Sequence, residues 1–436
     1  MIKRFIVIFI AIISSAAFAQ EGTGSPYSFY GIGSLKFKGT VENRSMGGMS
    51  VYLDSIHLNL SNPASYAGRN LEYSGFDGES RPIKFSVAGT TSSSTLKTDS
   101  ESANTNSTIF DYLALSVPIG KFGFGFGLMP YTSVGYKLDD VNDSDYLVNR
   151  FSGEGGLNRV FAGFGYQINN QLGVGVDINY NFGNIQNTAI EVKYTPENEL
   201  IQYQTREFNR ADLRGLNLNF GLTYKAMITN KLELSATTTF TPGSTLDSEN
   251  IRSYSTVTLN SDYEVAGISN TINEDVEDTE LTLPSKFTIG AGIGQPKSWF
   301  VGAEYTFQNT SDFSNPLYSS QNAVTSYENA SQISLGGFYI PKYNAFSGYF
   351  NRVVYRAGVK YENTGLIIKD EPINEFGMSF GLGLPVGNRS MFSNANFGFE
   401  FGRRGTREKN LILENFVNFN VSLSLNSRWF EQKKYY

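Results

Sequence analysis

Phe122-Gly123-Phe124-Gly125-Phe126-Gly127 puts a large aromatic ring at every second position and a bare glycine between each pair. Successive side chains of a strand point to opposite faces, so this segment has one phenylalanine face and one nearly empty face. A helix would scatter the same residues around its axis. The pattern recurs along the chain. Leu172, Val174, Val176, Ile178, Tyr180 and Phe182 stand opposite Gly173, Gly175, Asp177, Asn179 and Asn181. Phe376, Met378, Phe380, Leu382 and Leu384 repeat it, as do Phe397, Phe399 and Phe401, and finally Phe419, Val421, Leu423 and Leu425. The fold class expected is all-β.

Working outward from these segments, strands are expected near 70–90, 107–119, 121–136, 157–168, 171–194, 204–225, 231–258, 280–294, 298–308, 331–340, 352–362, 374–385, 393–403 and 411–425. That makes 14, an even number, as closure of an antiparallel single-chain bacterial barrel requires. A large soluble β-sandwich also alternates, but the connections argue against it. One alternate set (120, 169–170, 226–230, 295–297, 341–351, 386–392) is mostly short; the other (91–106, 137–156, 195–203, 242–279, 309–330, 363–373, 404–410) is mostly long. Short periplasmic turns and long extracellular loops are the rhythm of a membrane barrel, with both mature termini periplasmic. Residues 90–108 are dominated by Ser and Thr, while Asp139, Asp140, Asp143, Asp145 and Glu274, Asp275, Glu277, Asp278, Glu280 mark solvated acidic loops. Trp299 and Trp429 fall at expected periplasmic strand ends, where an aromatic girdle belongs.

The N-terminus reads as an export signal. Lys3 and Arg4 precede an apolar run over 5–13, and Ala17-Phe18-Ala19 offers a small-residue cleavage site. Residues 1–19 are expected to be removed, leaving a hatch over 20–69, a barrel over 70–430 and a periplasmic tail over 431–436. With no cysteine in the chain, thiol catalysis, Cys-type zinc sites and a lipid anchor are excluded. His57 is the single histidine, so no multi-His metal site exists either. The net charge of −6 argues against nucleic acid as a partner. The glycine alternations are not dinucleotide loops, since no helix follows them. A Ser-His hydrolase would rest on His57 alone, with no serine singled out by spacing. No enzymatic activity, cofactor or metal is expected.

Residues 20–69 do not alternate. Ser25-Pro26-Tyr27, Gly31-Ile32-Gly33, Arg44-Ser45-Met46-Gly47-Gly48 and Asn62-Pro63-Ala64-Ser65-Tyr66 punctuate them too often for long helices. The segment is too apolar to hang free, and the barrel lumen is the natural place for it. Ser45, Gly47 and Gly48, followed by an apolar stretch and Asn62, Pro63 and Ala64, resemble the N-terminal hatch of the FadL-like outer-membrane barrels. That resemblance implies a 14-stranded barrel with an internal hatch, and members that admit long-chain fatty acids or other hydrophobic compounds. Residues 25–33 and 429–436 are closer to FadL-like barrels that serve as subunits of secretion or outer-membrane assembly machines. Pro130 cannot donate to a ladder, so a kink or local gap is expected in the third strand; the resemblance implies a lateral exit there, and a simple bulge near the outer rim is the alternative.

Alternation points Gly163, Gly165, Gly173, Gly175, Gly358, Gly377, Gly381, Gly383 and Gly398 inward, which leaves room for a plug. Arg159, Asp177, Arg356, Lys360, Glu362 and Glu400 point inward too, and such charges need partners or water. Two functions follow as expectations. The first is a conduit that passes hydrophobic, fatty-acid-like molecules sideways into the bilayer. The alternative is a non-transporting subunit held by other outer-membrane proteins. A conduit needs a dry apolar pocket and a cation for a carboxylate. If Arg159, Arg356 and Lys360 are all paired and the hatch fills the lumen, the subunit reading gains, and an exposed apolar patch should appear elsewhere.

Overall fold

The computed structural model describes residues 22–53, 56–67, 82–142, 144–313, 325–386 and 393–427. The export signal, the tail, Trp429, Asp143 and the expected beginning of the first strand lie outside the described residues.

A two-residue strand β1 (Ser34–Leu35) and a one-turn helix α1 (Val41–Arg44) precede the wall. β2 (Ile83–Lys97) and β3 (Ser102–Ile119) form its first hairpin. β4 (Phe122–Pro130) and β5 (Thr132–Val141) are one crossing interrupted at Tyr131. β6 (Leu147–Gln167), β7 (Leu172–Glu191) and β8 (Gln204–Met227) follow. β9 (Glu233–Thr241) continues as β10 (Ser244–Leu259), β11 (Val265–Glu274) folds back on β10, and β12 (Thr279–Leu283) continues as β13 (Lys286–Gln295). β14 (Trp299–Gln308), β15 (Thr325–Tyr327), β16 (Ala330–Tyr339), β17 (Val354–Ile368), β18 (Glu371–Val386), β19 (Ser393–Arg404) and β20 (Leu413–Ser427) complete the chain. β20 pairs with β2 from Ser427↔Ile83 to Leu413↔Lys97, which closes the sheet. The result is a closed antiparallel barrel of 14 crossings.

The wall is inside-out relative to a soluble sandwich. Phe122, Phe126, Phe164, Ile178, Tyr180, Leu218, Phe220, Phe380 and Phe399 are exposed, while Asp177, Asn179, Asn181, Asn217 and Asn219 are buried. Only an apolar solvent around the barrel makes that arrangement favourable, because the closed ladder also satisfies the backbone internally. Among the described residues no helix is long and apolar enough to cross a membrane.

The connections need correction. The expected loop 91–106 is a four-residue turn between two long strands, with Ser92 paired to both Ser107 and Asn418. The expected loop 137–156 is mostly the β5–β6 ladder, and 242–279 is mostly β10 and β11. Only residues 369–370 separate β17 from β18. β8 alone has 24 residues, where about 10 suffice to cross a bilayer. The strands therefore rise well beyond the crossing. The extensions no longer present one continuous apolar face to lipid, so regular hydrophobic alternation does not mark them, and Ser/Thr-rich strands read as loops.

Candidate functional site in the barrel interior

The N-terminal segment lies against the inward glycines. Thr40 and Asn43 cap α1 reciprocally: the Thr40 hydroxyl accepts from the Asn43 amide, and the Asn43 side chain accepts from the Thr40 amide. Helix α1 then ends at Ser45, and Gly47 and Gly48 take φ of 72° and 84°. These left-handed conformations favour glycine. They turn the chain so that the Gly47 amide donates to Ser379 Oγ at 2.9 Å and the Gly48 amide to the Asn43 carbonyl at 3.0 Å. A Cβ on Gly398 would sit 2.8 Å from Ser45 Oγ, and one on Gly358 would overlap the Gly47 backbone. Met46, Met49 and Val51 pack with Phe300, Phe338 and Ile340 of the wall.

The second motif seats further along the barrel. Asn62 caps the 3-10 turn Pro63–Tyr66, its side-chain oxygen accepting from the Ala64 amide at 3.0 Å. Its side-chain amide donates to the Leu222 carbonyl at 3.0 Å. Asn219 Nδ2 donates to the Ser61 carbonyl at 3.2 Å. A Cβ on Gly165 would lie 2.8 Å from the Pro63 carbonyl oxygen, and one on Gly175 would overlap the Ala64 amide. Leu58, Leu60 and Tyr66 pack with Val41 and with Tyr112, Met129 and Phe161 of the wall.

Lys360, Glu400 and Asp177 lie in ion pairs, while Arg159 and Arg356 are held by neutral groups. Lys360 Nζ is 2.8 Å from both Glu375 and Glu400, and Arg404 Nε donates to Glu375 at 2.6 Å. Glu362 sits in the field of Glu375, Lys360, Arg404 and Lys286. Arg159 lies 4.0 Å over the Tyr131 ring and donates from Nε to Asn181 at 2.8 Å. Arg356 donates to Asn396 at 3.2 Å. Asp177 is met by Lys38 of the N-terminal segment at 3.6 Å, rather than by an arginine of the wall.

Alternation along the wall does not show the other half of these contacts. Ser50 donates from its amide and hydroxyl to Glu304 at 2.9 and 2.8 Å. Arg44 faces Asp111 at 3.7 Å, Glu42 accepts from Asn396 at 2.7 Å, and Ser25 donates to Glu414 at 2.6 Å. Glu304 and Glu414 were available as inward alternation positions. The partners on the N-terminal segment were not, since that segment has no period to read.

Pro130 ends β4 at a break in the wall. The β3–β4 ladder runs from Ile119↔Phe122 to Leu113↔Leu128. Beyond it β5 pairs with β6 and, through Ser133↔Ser34 and Thr132↔Leu35, with β1. Among the described residues no ladder joins 102–112 of β3 to β5. The N-terminal segment occupies this seam: the Lys36 amide donates to the Tyr131 carbonyl at 2.9 Å, and Gly22 and Gly24 abut Ile109, Ser133 and Thr105. A pocket near the 404–410 connection mixes Glu375, Arg403, Arg407 and Glu408 with Pro372, Phe376 and Leu413.

A closed barrel of this strand number, with an apolar outer wall and a polar interior, is the fold of the FadL-type outer-membrane channels. Solved structures bear the likeness out. The toluene transporter TbuX of Ralstonia pickettii matches with TM-score 0.59 at 14% identity, over 90% of this chain and 99% of that one. The toluene transporter TodX of P. putida matches with TM-score 0.57 at 16% identity, over 91% and 100%. A FadL homologue of Pseudomonas aeruginosa matches with TM-score 0.53 at 12% identity, over 91% and 99%. At these identities the likeness establishes the fold alone. No curated protein matches. The family model BamG matches residues 1–436, and the chain belongs to the BamG family.

Proposed function

We propose that this protein is a non-transporting barrel subunit of an outer-membrane protein assembly or secretion complex, its lumen shut by its own N-terminal segment. The observation that carries this reading is the fit of Ser45–Gly48 and Asn62–Ala64 onto the glycine stripe, where even a Cβ on Gly175, Gly358 or Gly398 would crowd the segment. An acyl chain needs an apolar slot and a cation to hold its carboxylate. Here Lys360 is committed to two carboxylates, Arg159 to Tyr131 and Asn181, and Arg356 to Asn396. The whole-length match is to the BamG family, whereas the likeness to toluene transporters stays at 14–16% identity. In this reading residues 22–67 are a hatch. The short turns face the periplasm and the tall hairpins the outside. The partners are the bilayer and other outer-membrane proteins.

The break after Pro130 favours a second reading, a conduit for hydrophobic molecules with a lateral exit between β3 and β5. The two are separated by purifying the full chain from native membranes in mild detergent. A subunit runs as a stable particle with other outer-membrane proteins at fixed stoichiometry and shows no saturable binding of radiolabelled toluene or fatty acid. A lone barrel that binds either ligand saturably overturns the proposal.

A further inference from the structure

The β10–β11 hairpin ends in a sheet edge. β11 is hydrogen-bonded to β10 on one side, from Glu274↔Arg252 to Val265↔Leu259. Among the described residues it pairs with nothing on the other. Ile272 is 69% and Ile268 54% exposed; Tyr254, the partner of Ile272 on β10, is exposed as well, while Val257, the partner of Ile268, is buried. An edge of this kind is a template for another chain, and proteins blunt such edges with lysine, proline, bulges or a covering segment. The seam edge of β5 carries Lys137, Asp139 and Asp140, and that of β3 is covered by residues 22–24. β11 reads Val-Ala-Gly-Ile-Ser-Asn-Thr-Ile-Asn-Glu, with no proline, no lysine and a single charge at its end. It is interrupted by two bulges, one at Asn270, where φ is 47°, and one between Val265 and Gly267. The runs on either side of Asn270 remain open.

The hairpin is held in place. Arg150 donates from Nη1 to the Asp262 and Tyr263 carbonyls at 3.1 and 3.0 Å, and it grips Asp139 through two nitrogens at 2.7 Å. Tyr263, Leu259 and Val265 pack on the cluster of Leu147, Ile190, Val192 and Val257. The edge is therefore presented rigidly, which lowers the entropy cost of adding a strand.

We infer that the free edge of β11 takes an extended strand from a different outer-membrane protein by β-augmentation, and that this strand carries lysine or arginine at its membrane-proximal end. Backbone pairing supplies the affinity, and because the bulge turns Ile268 and Ile272 to opposite faces, the added strand meets each with an apolar side chain on a different face. Charge excludes a second copy of this chain. Two copies in one membrane share an up–down orientation, so their β11 strands would run parallel. Each acidic run of Glu274, Asp275, Glu277, Asp278 and Glu280 would then lie beside its twin; Arg252 of β10 meets Glu274 at 3.6 Å, and residues 265–285 themselves contain no basic side chain to offset the other four. A heterologous strand with basic residues relieves the same field. The inference rests on the subunit reading.

The test compares the full chain, purified from native membranes, with Ile268→Lys/Ile272→Lys and Ile268→Val/Ile272→Val. Heat-modifiable electrophoretic mobility verifies the folded barrel in each. Co-purified partner protein should fall about tenfold or more in the lysine pair and persist in the valine pair. Amide exchange over 265–274 should be slow in the complex and fast in the isolated barrel. A complex in which β11 exchanges as fast as in the isolated barrel overturns this inference and leaves the subunit reading standing. A homodimer joined through β11 also overturns it. A monomer without partners in native membranes overturns both.

Discussion

The side-chain amide of Asn62 donates to the carbonyl of Leu222, 160 residues away, at 3.0 Å, while its oxygen holds the Ala64 amide. One side chain thus caps the turn Pro63–Tyr66 and ties it to the wall, using both ends of the amide. Asn62→Ala removes both bonds and leaves a buried carbonyl and amide unmet, a cost of about 1–3 kcal/mol. Hydrogen exchange should quicken over residues 59–66 while the strands stay protected. Unchanged exchange there would show that packing of Tyr66 alone holds the turn.

Gly175 faces the Ala64 amide too closely for a side chain. Gly175→Leu is expected to prevent seating of the Pro63–Tyr66 turn, with a loss of about 1–3 kcal/mol or more. The thermal midpoint should fall, and protease should reach the segment. A barrel with an open lumen would tolerate the leucine, so an unaltered midpoint would speak for a conduit.

Lys360 sits between two carboxylates, Glu375 and Glu400. Replacing it with methionine strands one of them, since Arg404 serves Glu375 but not Glu400. A loss of about 3–5 kcal/mol is expected in denaturant unfolding from detergent. Adding Glu400→Gln to Lys360→Met should restore a large part, because the uncompensated charge is what costs. A double variant as unstable as the single would place the damage in packing.

Outside the crossing, Glu264 ties the β10–β11 turn to β5. The hydrogen bond from Lys137 holds its carboxyl below the ordinary range, against a smaller opposing effect of burial. A depressed folded value means the link is complete at neutral pH and is lost as pH falls through the folded value, below the ordinary carboxylate range. The pair is half-exposed, so the stabilisation is small. Amide exchange over 260–265 should rise on acidification at matched intrinsic rates, and Lys137→Met should abolish that rise. Identical acid responses in the two proteins would refute the linkage.

Local alternation determined the barrel. Phe122 to Gly127 and Gly173 to Phe182 leave one face ring-filled and the other bare, and only a lipid-facing wall makes both faces favourable. The same period pointed Asp177, Lys360 and Glu400 inward. What it could not determine was partnership. That Lys360 meets Glu375 and Glu400, that Asp177 meets Lys38 rather than Arg159, and that Asn62 meets Leu222 all depend on how an aperiodic segment threads a closed wall. Such contacts join residues far apart in sequence, and no local pattern records them. The tall hairpins were hidden for a related reason. Beyond the crossing β10 and β11 bury only scattered apolar side chains, Val257, Leu259 and Val265 among them, so the strands carry no regular hydrophobic period, and only the ladder Tyr254↔Ile272 and its neighbours reveals them.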